Sequence, residues 1–265
     1  METAALGCPV ERSSTLSSSP HSTAQLPGPQ PTPPRFSVVS LNFMNSSRQD
    51  LLRLLADKSF RLGVFKLSSG GTSDYYIDCR TTTLHAKGAR LTGQVFFDEI
   101  RQRGWKPQAI GGLTMGADPI VVAVSVVSGE LHGFLVRKAE KQHGTGQRIE
   151  GFRAKGARVV IVDDVCTTGA STVQAIETAR EVGFQVVGAM CLVEREEAKG
   201  RPSVEKAASP APFVSIFTAS DVRAEHILQT DDTRPPIFAV AAACEICGCP
   251  AVTNNPRNLC AAHRA

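Results

Sequence analysis

Apolar positions in the middle of the chain follow two alternating periods. Residues 51–55 carry four leucines at helical spacing, with Ser47 as a candidate N-cap and Asp50 three residues further on. Other helical patterns cover residues 87–103, 118–127 and 171–182, and apolar runs typical of strands cover residues 109–112, 133–136, 158–162, 185–193 and 213–217. Because strands and helices alternate, we predict an α/β fold whose central, mostly parallel sheet is covered by helices on both faces.

The two ends of the chain differ from this middle part. Residues 1–45 are rich in serine, proline and threonine, and we predict a disordered extension because they cannot bury enough apolar surface to fold. An alternative is that translation starts at Met44. Residues 46–230 are predicted to form one domain with a single sizeable core, followed by a C-terminal extension, residues 231–265.

Composition and charge exclude several classes of protein. The chain of 265 residues is 42% hydrophobic and 20% charged, as in ordinary globular proteins. Its formal net charge of +4 is too small to indicate nucleic acid binding, and no apolar run approaches the roughly 20 residues of a membrane helix. The eight cysteines are not spaced like a secreted disulfide framework, so we expect a reducing cytoplasmic location.

The most specific motif is RVVIVDDVCTTGAST, residues 158–172. An apolar strand ends in Asp163 and Asp164, and a short Thr/Gly/Ser turn then opens a helix. Backbone amides at a helix N-terminus favour a phosphate, and two carboxylates at the same sheet edge can hold sugar hydroxyls or a hydrated Mg²⁺. Adjacent acids also follow strands in phosphate-accepting receiver domains, but those lack the TTGAS turn.

This segment resembles the signature of the type I phosphoribosyltransferases, which bind phosphoribosyl pyrophosphate (PRPP). The resemblance implies that Asp163 and Asp164 contact the ribose hydroxyls. It assigns the 5′-phosphate to the residues of the turn, namely Thr167, Thr168, Gly169, Ala170 and Ser171.

A basic, glycine-rich segment precedes this motif. Residues 137–158 carry seven Lys or Arg and two acids, and a connection of this kind is usually a mobile functional loop. Cations brought by a closing loop would stabilise a departing pyrophosphate. A solvated basic loop is the plainer alternative, whereas a nucleic acid patch is disfavoured because no aromatic residue is interleaved to stack on bases.

The spacing R-K-x-x-K-x-H-G within this segment is similar to the catalytic loop of orotate phosphoribosyltransferases. The resemblance implies a homodimer in which loop residues act partly in the partner's site. It implies pyrophosphate binding by Arg137, Lys138, Lys141 and His143, with Lys141 as the leading catalytic candidate beside Asp163 and Asp164.

Three further segments carry the same resemblance. FKLSSGGTSDYYIDCR, residues 65–80, resembles the N-terminal hood of these enzymes, in which Tyr76 would stack on the base; simple strand packing of Tyr75 and Tyr76 is the alternative. LVEREEAKG, residues 192–200, places Arg195 where the family binds the orotate carboxylate, with a surface ion pair as the alternative. Thr167 is a third candidate contact of orotate.

The third segment, GGLTMGADPI at residues 111–120, resembles a backbone loop that approaches pyrophosphate. Some family members have a lysine at the position of Ser68 and another near the position of Gly116. This chain has neither lysine. The cation supply is therefore expected to depend more heavily on the basic loop.

The resemblance implies a reaction dependent on Mg²⁺ in which orotate and PRPP give orotidine 5′-monophosphate and pyrophosphate, a step of de novo pyrimidine synthesis. Two rival hypotheses remain. One is a phosphoribosyltransferase for another base, such as a purine, which would not need Arg195. The other is a non-catalytic PRPP sensor, which would not need the cations of the basic loop.

The C-terminal extension has a pattern of its own. It contains two pairs of potential metal ligands separated by twelve residues, and their types and spacing suit a structural zinc site. The pairs are Cys244 with Cys247, and Cys260 with His263. Cys249 is a possible competitor, and an extension with unligated thiols is the alternative.

Overall fold

The structure, a computed structural model, describes residues 38–66, 71–138 and 148–231, with side chains from Ser46 onward. A hairpin comes first, formed by Phe60–Lys66 (β1) and Thr72–Ile77 (β2). The main sheet contains Ala109–Leu113 (β3), His132–Val136 (β4), Ile149–Gly151 (β5), Arg158–Cys166 (β6), Gln185–Glu194 (β7) and Phe213–Thr218 (β8). Its strand order is β5-β4-β3-β6-β7-β8, and all neighbours are parallel except β4 and β5.

Helices cover both faces of this sheet. They are Val38–Lys58 (α1), Arg80–Thr83 (α2), Ala86–Gln102 (α3), Asp118–Ser128 (α4), Ala170–Glu181 (α5), Arg201–Ala208 (α6) and Ala219–Thr230 (α7), and a 3-10 turn spans Glu196–Ala198. Strand β6 is buried on both sides. Val160 and Val162 join the core formed with α1, α3, α4 and α7, whereas Val159 and Ile161 join the core formed with α5 and α6. The predicted fold class is therefore confirmed.

The hairpin packs beside the carboxyl edge of the sheet through its first strand. Phe60 stacks on Tyr75 with ring centroids 5.2 Å apart, and His226 of α7 lies 5.2 Å from Phe60 on another side. Phe60 and Tyr75 are both buried in the core that contains α1 and α7. The hairpin is therefore anchored to the domain and can form one wall of a site at this edge.

Some local predictions were wrong. Helix α1 begins at Val38 rather than near Ser46, so Ser47 is a buried residue inside the helix and not its N-cap. Strand β5 lies within the segment predicted as a loop, because its backbone pairs antiparallel with β4. Helices α2, α6 and α7 were not predicted, and no bounds were predicted for the two strands of the hairpin. The boundaries of the other predicted elements agree to within a few residues.

Several predictions fall outside the described residues. They concern Ser68, Lys141, His143, Cys244, Cys247, Cys249, Cys260 and His263, the residues before 38, and Met44, whose side chain is not described. In the described part of the chain, no helix is long and apolar enough to cross a membrane.

Candidate active site

Strand β6 carries two consecutive acids to the carboxyl edge of the sheet, and its alternation directs them to different sides. Asp163 is 4% exposed and accepts a hydrogen bond from Thr172 Oγ1 of α5 at 2.7 Å. Asp164 faces the loop after β3, where a Cβ atom on Gly116 would lie 2.4 Å from Asp164 Oδ1. The two carboxylates therefore lie between α5 on one side and the Gly116 loop on the other.

The environment of Asp163 changes its acidity. Burial, opposed by the hydrogen bond from Thr172 and reinforced by the negative charge of Asp164, raises the pKa of Asp163 from 3.8 to about 7. The free site therefore disfavours the Asp163 carboxylate ion, whereas hydroxyl groups that donate hydrogen bonds to it would favour that ion.

The turn between β6 and α5 is shaped to receive an anion. Gly169 has a left-handed φ of 77° immediately before α5, and a Cβ atom there would lie 2.5 Å from Val204 Cγ2. The N-cap residue Gly169 offers no side chain to α5, and the Ala170 amide donates only a long hydrogen bond, 3.5 Å, to Thr168 Oγ1. The amides at this N-terminus are therefore available to a phosphate, and the side chains of Thr167 and Ser171 lie beside them.

A cleft of about 340 Å³ lies over these residues. Its walls come from the hairpin, the loop after β3, the end of β6 and the loop after β7, so it gathers residues that are distant in sequence. Its lining comprises Tyr76, Ile77, Asp78, Arg80, Leu113, Thr114, Met115, Gly116, Lys138, Asp163, Asp164, Val165, Thr167, Ser171 and Arg195. Thr168, Gly169 and Ala170 complete the adjoining turn.

The two tyrosines of the hairpin have opposite environments. Tyr76 is 47% exposed and lines the cleft, as a residue that stacks on a flat base would. Tyr75 is buried, and its hydroxyl donates to Glu197 while accepting from Arg195 Nε at 2.9 Å. Burial and the hydrogen bond to Glu197 raise the pKa of Tyr75 to about 12, so it stays neutral.

Arg195 is held by residues from two segments. Its Nε lies 3.0 Å from Glu197 Oε1, its Nη2 lies 3.2 Å from Ser73 Oγ, and its guanidinium carbon is 4.6 Å from the centroid of the Tyr75 ring. Its side chain is 11% exposed and still lines the cleft. The ion pair that was considered as an alternative is thus present, but it orients Arg195 at the cleft wall.

The first two cations of the basic segment have different positions. Lys138 lines the cleft, and its backbone carbonyl accepts a hydrogen bond from Gln174 Nε2 at 3.1 Å. Arg137 instead pairs with Glu150 of β5, with 3.4 Å between Nη1 and Oε1, and is not part of the cleft lining. Lys141 and His143 lie outside the described residues, so their roles stay predictions.

Sequence reasoning missed Asp78, Arg80 and Glu197. Asp78 and Arg80 follow strand β2 directly, which is the same pattern of polar residues after a strand that identified Asp163 and Asp164. That signal was available but was not applied to the hairpin. Glu197 had no local signal, because its contact with Tyr75 joins residues far apart in the chain.

The acids at the cleft suit a metal that is shared with a substrate. In the described part of the chain, no group of three or more His, Cys, Asp or Glu could hold a metal alone. Mg²⁺ is commonly bound by one or two carboxylates together with substrate phosphates. Asp163 and Asp164 fit that donor set.

Comparisons with known proteins agree with this geometry. A family model for the phosphoribosyl transferase domain matches residues 81–210. The orotate phosphoribosyltransferase of Aquifex aeolicus is 39% identical over 182 residues, which cover 66% of this chain and 97% of the relative. That of Corynebacterium glutamicum is 40% identical over 186 residues, covering 69% of this chain and 98% of the relative.

A solved structure shows the same likeness in three dimensions. Orotate phosphoribosyltransferase of Mycobacterium tuberculosis, in complex with PRPP, superposes with a TM-score of 0.56 at 32% identity, covering 66% of this chain and 98% of that one. The fold and the cleft thus define a phosphoribosyltransferase. Within that class, the chain belongs to the orotate phosphoribosyltransferase family.

Proposed function

We propose that this chain transfers the 5-phosphoribosyl group of PRPP to orotate, giving orotidine 5′-monophosphate and pyrophosphate. The observation that carries the proposal is the single cleft that combines the acid pair, the anion-binding turn and Arg195. Two relatives that are orotate phosphoribosyltransferases are 39% and 40% identical to this chain, and the matches cover 97% and 98% of their lengths. The solved structure of the relative from Mycobacterium tuberculosis in complex with PRPP supports the choice of donor.

The sugar phosphate is assigned to the β6–α5 motif. The amides and hydroxyls of residues 167–171 would bind the 5′-phosphate, because they surround the N-terminus of α5, where the N-cap Gly169 has no side chain to occupy the amides. Asp163 and Asp164 would accept hydrogen bonds from the ribose hydroxyls and hold the ring at a fixed distance from the turn. Mg²⁺, when bound with PRPP, supplies positive charge near these two carboxylates.

Orotate is assigned to the opposite wall. Arg195 would bind its carboxylate, since the contacts with Glu197, Tyr75 and Ser73 already orient the guanidinium. Tyr76 would cover the ring, and Thr167 would contact it from the turn. A purine offers no carboxylate to Arg195, and this difference favours orotate.

Departure of pyrophosphate needs positive charge. Lys138 lies at the cleft, and we assign Arg137, Lys141 and His143 to the same task from a partner subunit in a homodimer. Arg137 pairs with Glu150 and is not among the described residues that line its own cleft, which supports this arrangement. Cationic groups placed at the leaving oxygen favour the transition state over the bound substrate, so Lys141 stays the leading catalytic candidate.

The exposed apolar side chains support a dimer. Val122 and Val126 lie one turn apart on α4, where they are 61% and 75% exposed, and Leu84 and Met115 are also exposed. Neighbouring exposed apolar side chains, such as the two valines of α4, commonly mark a protein interface. Cys79, Cys166 and Cys191 are free and buried, which supports the proposed reducing cytoplasmic location.

The C-terminal extension is assigned a structural Zn²⁺ held by Cys244, Cys247, Cys260 and His263. Its only support is the type and spacing of these ligands. Metal analysis should find about one Zn²⁺ per chain in the unaltered protein and a loss of zinc in Cys244→Ser, with Cys8→Ser as the control. An unchanged zinc content in Cys244→Ser would refute the site.

An absorbance assay tests the activity directly. Purified protein is mixed with PRPP, Mg²⁺ and orotate, and parallel reactions contain adenine, hypoxanthine or uracil instead. Consumption of orotate alone is expected. Turnover of a purine without turnover of orotate would support the rival enzyme, and binding of Mg-PRPP without any turnover would support the sensor.

A further inference from the structure

Arg80 has no role in the assignments above, although it lies in the cleft. Its Nε donates to Asp78 Oδ1 at 2.9 Å, its Nη2 donates to Asp78 Oδ2 at 2.9 Å, and its backbone amide donates to Asp78 Oδ1 at 3.1 Å. These contacts fix the plane of the guanidinium. The side-chain hydrogen bonds of Arg80 within the described ranges use only Nε and Nη2, which leaves the Nη1 donors for a ligand.

The position of Arg80 relative to the sheet indicates which ligand group it would meet. Arg80 begins α2, which packs against α3 and α4 on the Asp164 side of the sheet, and the loop containing Gly116 leads into α4 on that side. The phosphate-binding turn and α5 lie on the Asp163 side. Arg80 and the turn therefore flank the acid pair from opposite sides.

The chemistry of PRPP relates these two sides. The 5′-phosphate is attached to the ribose through C5 and the diphosphate through C1. These attachment points lie at opposite ends of the sugar, and the two hydroxyls lie between them. A ribose held by its hydroxyls at Asp163 and Asp164, with its 5′-phosphate on the α5 turn, directs C1 toward the Asp164 side. The group on that side that suits a diphosphate is a fixed guanidinium, because its fork matches phosphate oxygens.

We propose that Arg80, oriented by Asp78, binds the diphosphate of PRPP. The inference rests on the function proposed above. It adds a cation that belongs to the same subunit as the acid pair and is already in position, in contrast to the cations assigned to the partner's loop. The described lining of the cleft contains three cations, Arg80, Lys138 and Arg195, and Arg195 is already assigned to the orotate carboxylate.

Kinetics of Arg80→Gln test the proposal. Loss of a charged donor to phosphate should raise the KM for PRPP about tenfold or more, whereas the KM for orotate at saturating PRPP should change less than about twofold. Arg80→Lys keeps the charge but loses the forked geometry of the guanidinium. Its KM for PRPP should lie between those of the unaltered protein and of Arg80→Gln. Asp78→Asn, which loosens the guanidinium, should shift the KM for PRPP in the same direction by a smaller factor.

Inhibitors identify the group that is contacted. Pyrophosphate and ribose 5-phosphate are titrated separately as competitors of PRPP. In Arg80→Gln, the inhibition constant of pyrophosphate should rise in parallel with the KM for PRPP, and that of ribose 5-phosphate should stay unchanged. An equal rise for both inhibitors, or a rise in the KM for orotate instead, would overturn the proposal.

Arg223→Gln is the matched control. Arg223 also pairs with an aspartate of the hairpin, with 2.7 Å between Nη1 and Asp74 Oδ2, but it lies outside the cleft lining. This variant should leave both KM values unchanged. If Arg80→Gln lowers the melting temperature more than Arg223→Gln, calorimetric titration of the folded variant with pyrophosphate replaces the kinetic reading, and unaltered pyrophosphate affinity then overturns the proposal. A parent enzyme inactive on orotate would refute the function itself, independently of Arg80.

Discussion

At the scale of single residues, the position of Arg195 depends on two neighbours with different origins. Tyr75 belongs to the hairpin and Glu197 follows the same strand as Arg195, and both contact its Nε. An arginine held in this way loses little further entropy when it binds a carboxylate. Binding of orotate should therefore be sensitive to the loss of this one side chain.

Arg195→Ala should raise the KM for orotate about ten- to a hundredfold, since it removes a bidentate charged contact. Binding of Mg-PRPP, measured by calorimetry, should be unchanged. Arg103→Ala is the control, because Arg103 also forms an ion pair, with Glu99, but at the C-terminal end of α3 and outside the cleft lining. If orotate turnover falls only in proportion to a loss of folded protein, the assignment of Arg195 is wrong.

The second prediction at this scale concerns the acidity of Asp163. A carboxyl group whose pKa is raised on folding, here from 3.8 to about 7, stabilises the fold below the lower value, and that contribution is lost as the pH rises through the higher value. Asp163→Asn keeps an acceptor for Thr172 and removes the charge. The variant should therefore melt at a higher temperature than the unaltered protein at pH 8, and the gap should close toward pH 4.

The measurement is a series of melting curves for both proteins between pH 4 and pH 8. Activity should be largely lost in Asp163→Asn, because the ribose hydroxyls lose an ionised acceptor. A gap that does not depend on pH would contradict the assignment of the raised pKa to Asp163.

At the scale of elements, the turn proposed to bind the 5′-phosphate, residues 167–171, packs against the start of α6. A Cβ atom on Gly200 would lie 2.2 Å from the carbonyl oxygen of Thr167 and 2.8 Å from the amide of Gly169. The ion pair of Arg201 with the buried Glu194 at the end of β7 fixes this start, and Arg201 Nη2 also donates to Ser215 Oγ at 2.9 Å. The shape of the turn thus depends on an element that follows it in sequence.

Gly200→Ala should displace the turn without straining its own backbone, because Gly200 has a φ of −75°. We expect the KM for PRPP to rise about tenfold with a loss of stability of about 1–3 kcal/mol. Gly188→Ala is the control, since its Cβ would meet the Trp105 ring at 2.3 Å, away from the cleft lining. Similar KM values for PRPP in both variants would show that the effect is one of general stability.

At the scale of the whole molecule, the proposed homodimer makes each active site depend on two chains. Lys141→Ala should inactivate the partner's site, and Asp164→Asn should inactivate its own site. When the two inactive proteins are mixed and allowed to exchange subunits, about a quarter of the unaltered activity should return, because half of the dimers are mixed and each has one intact site. Mixtures that stay inactive after exchange would contradict catalysis in trans.

Features that depend on residues close together in sequence could be predicted, whereas features that depend on contacts between distant residues could not. The motif from Asp163 to Ser171 was recognisable because its acids, turn and helix start are neighbours in sequence. Strand β5 was missed because pairing with β4, rather than its own composition, makes it a strand. Ser47 was misassigned because a polar residue inside a helix looks locally like a cap. Glu197 was missed because its partner Tyr75 lies far away in sequence, whereas the local signal of Asp78 and Arg80 after β2 was not applied.

The origin of the cleft walls has a consequence for the history of such proteins. The residues proposed to bind the sugar phosphate lie in one continuous stretch, the end of β6 and the start of α5, whereas the wall around Arg195 comes from the hairpin and the loop after β7. Apart from Gly200, on which the shape of the turn depends, substitutions in those two segments leave that stretch unchanged. An ancestral gene could therefore change its acceptor while keeping its donor, and one scaffold could diversify across the nucleobases.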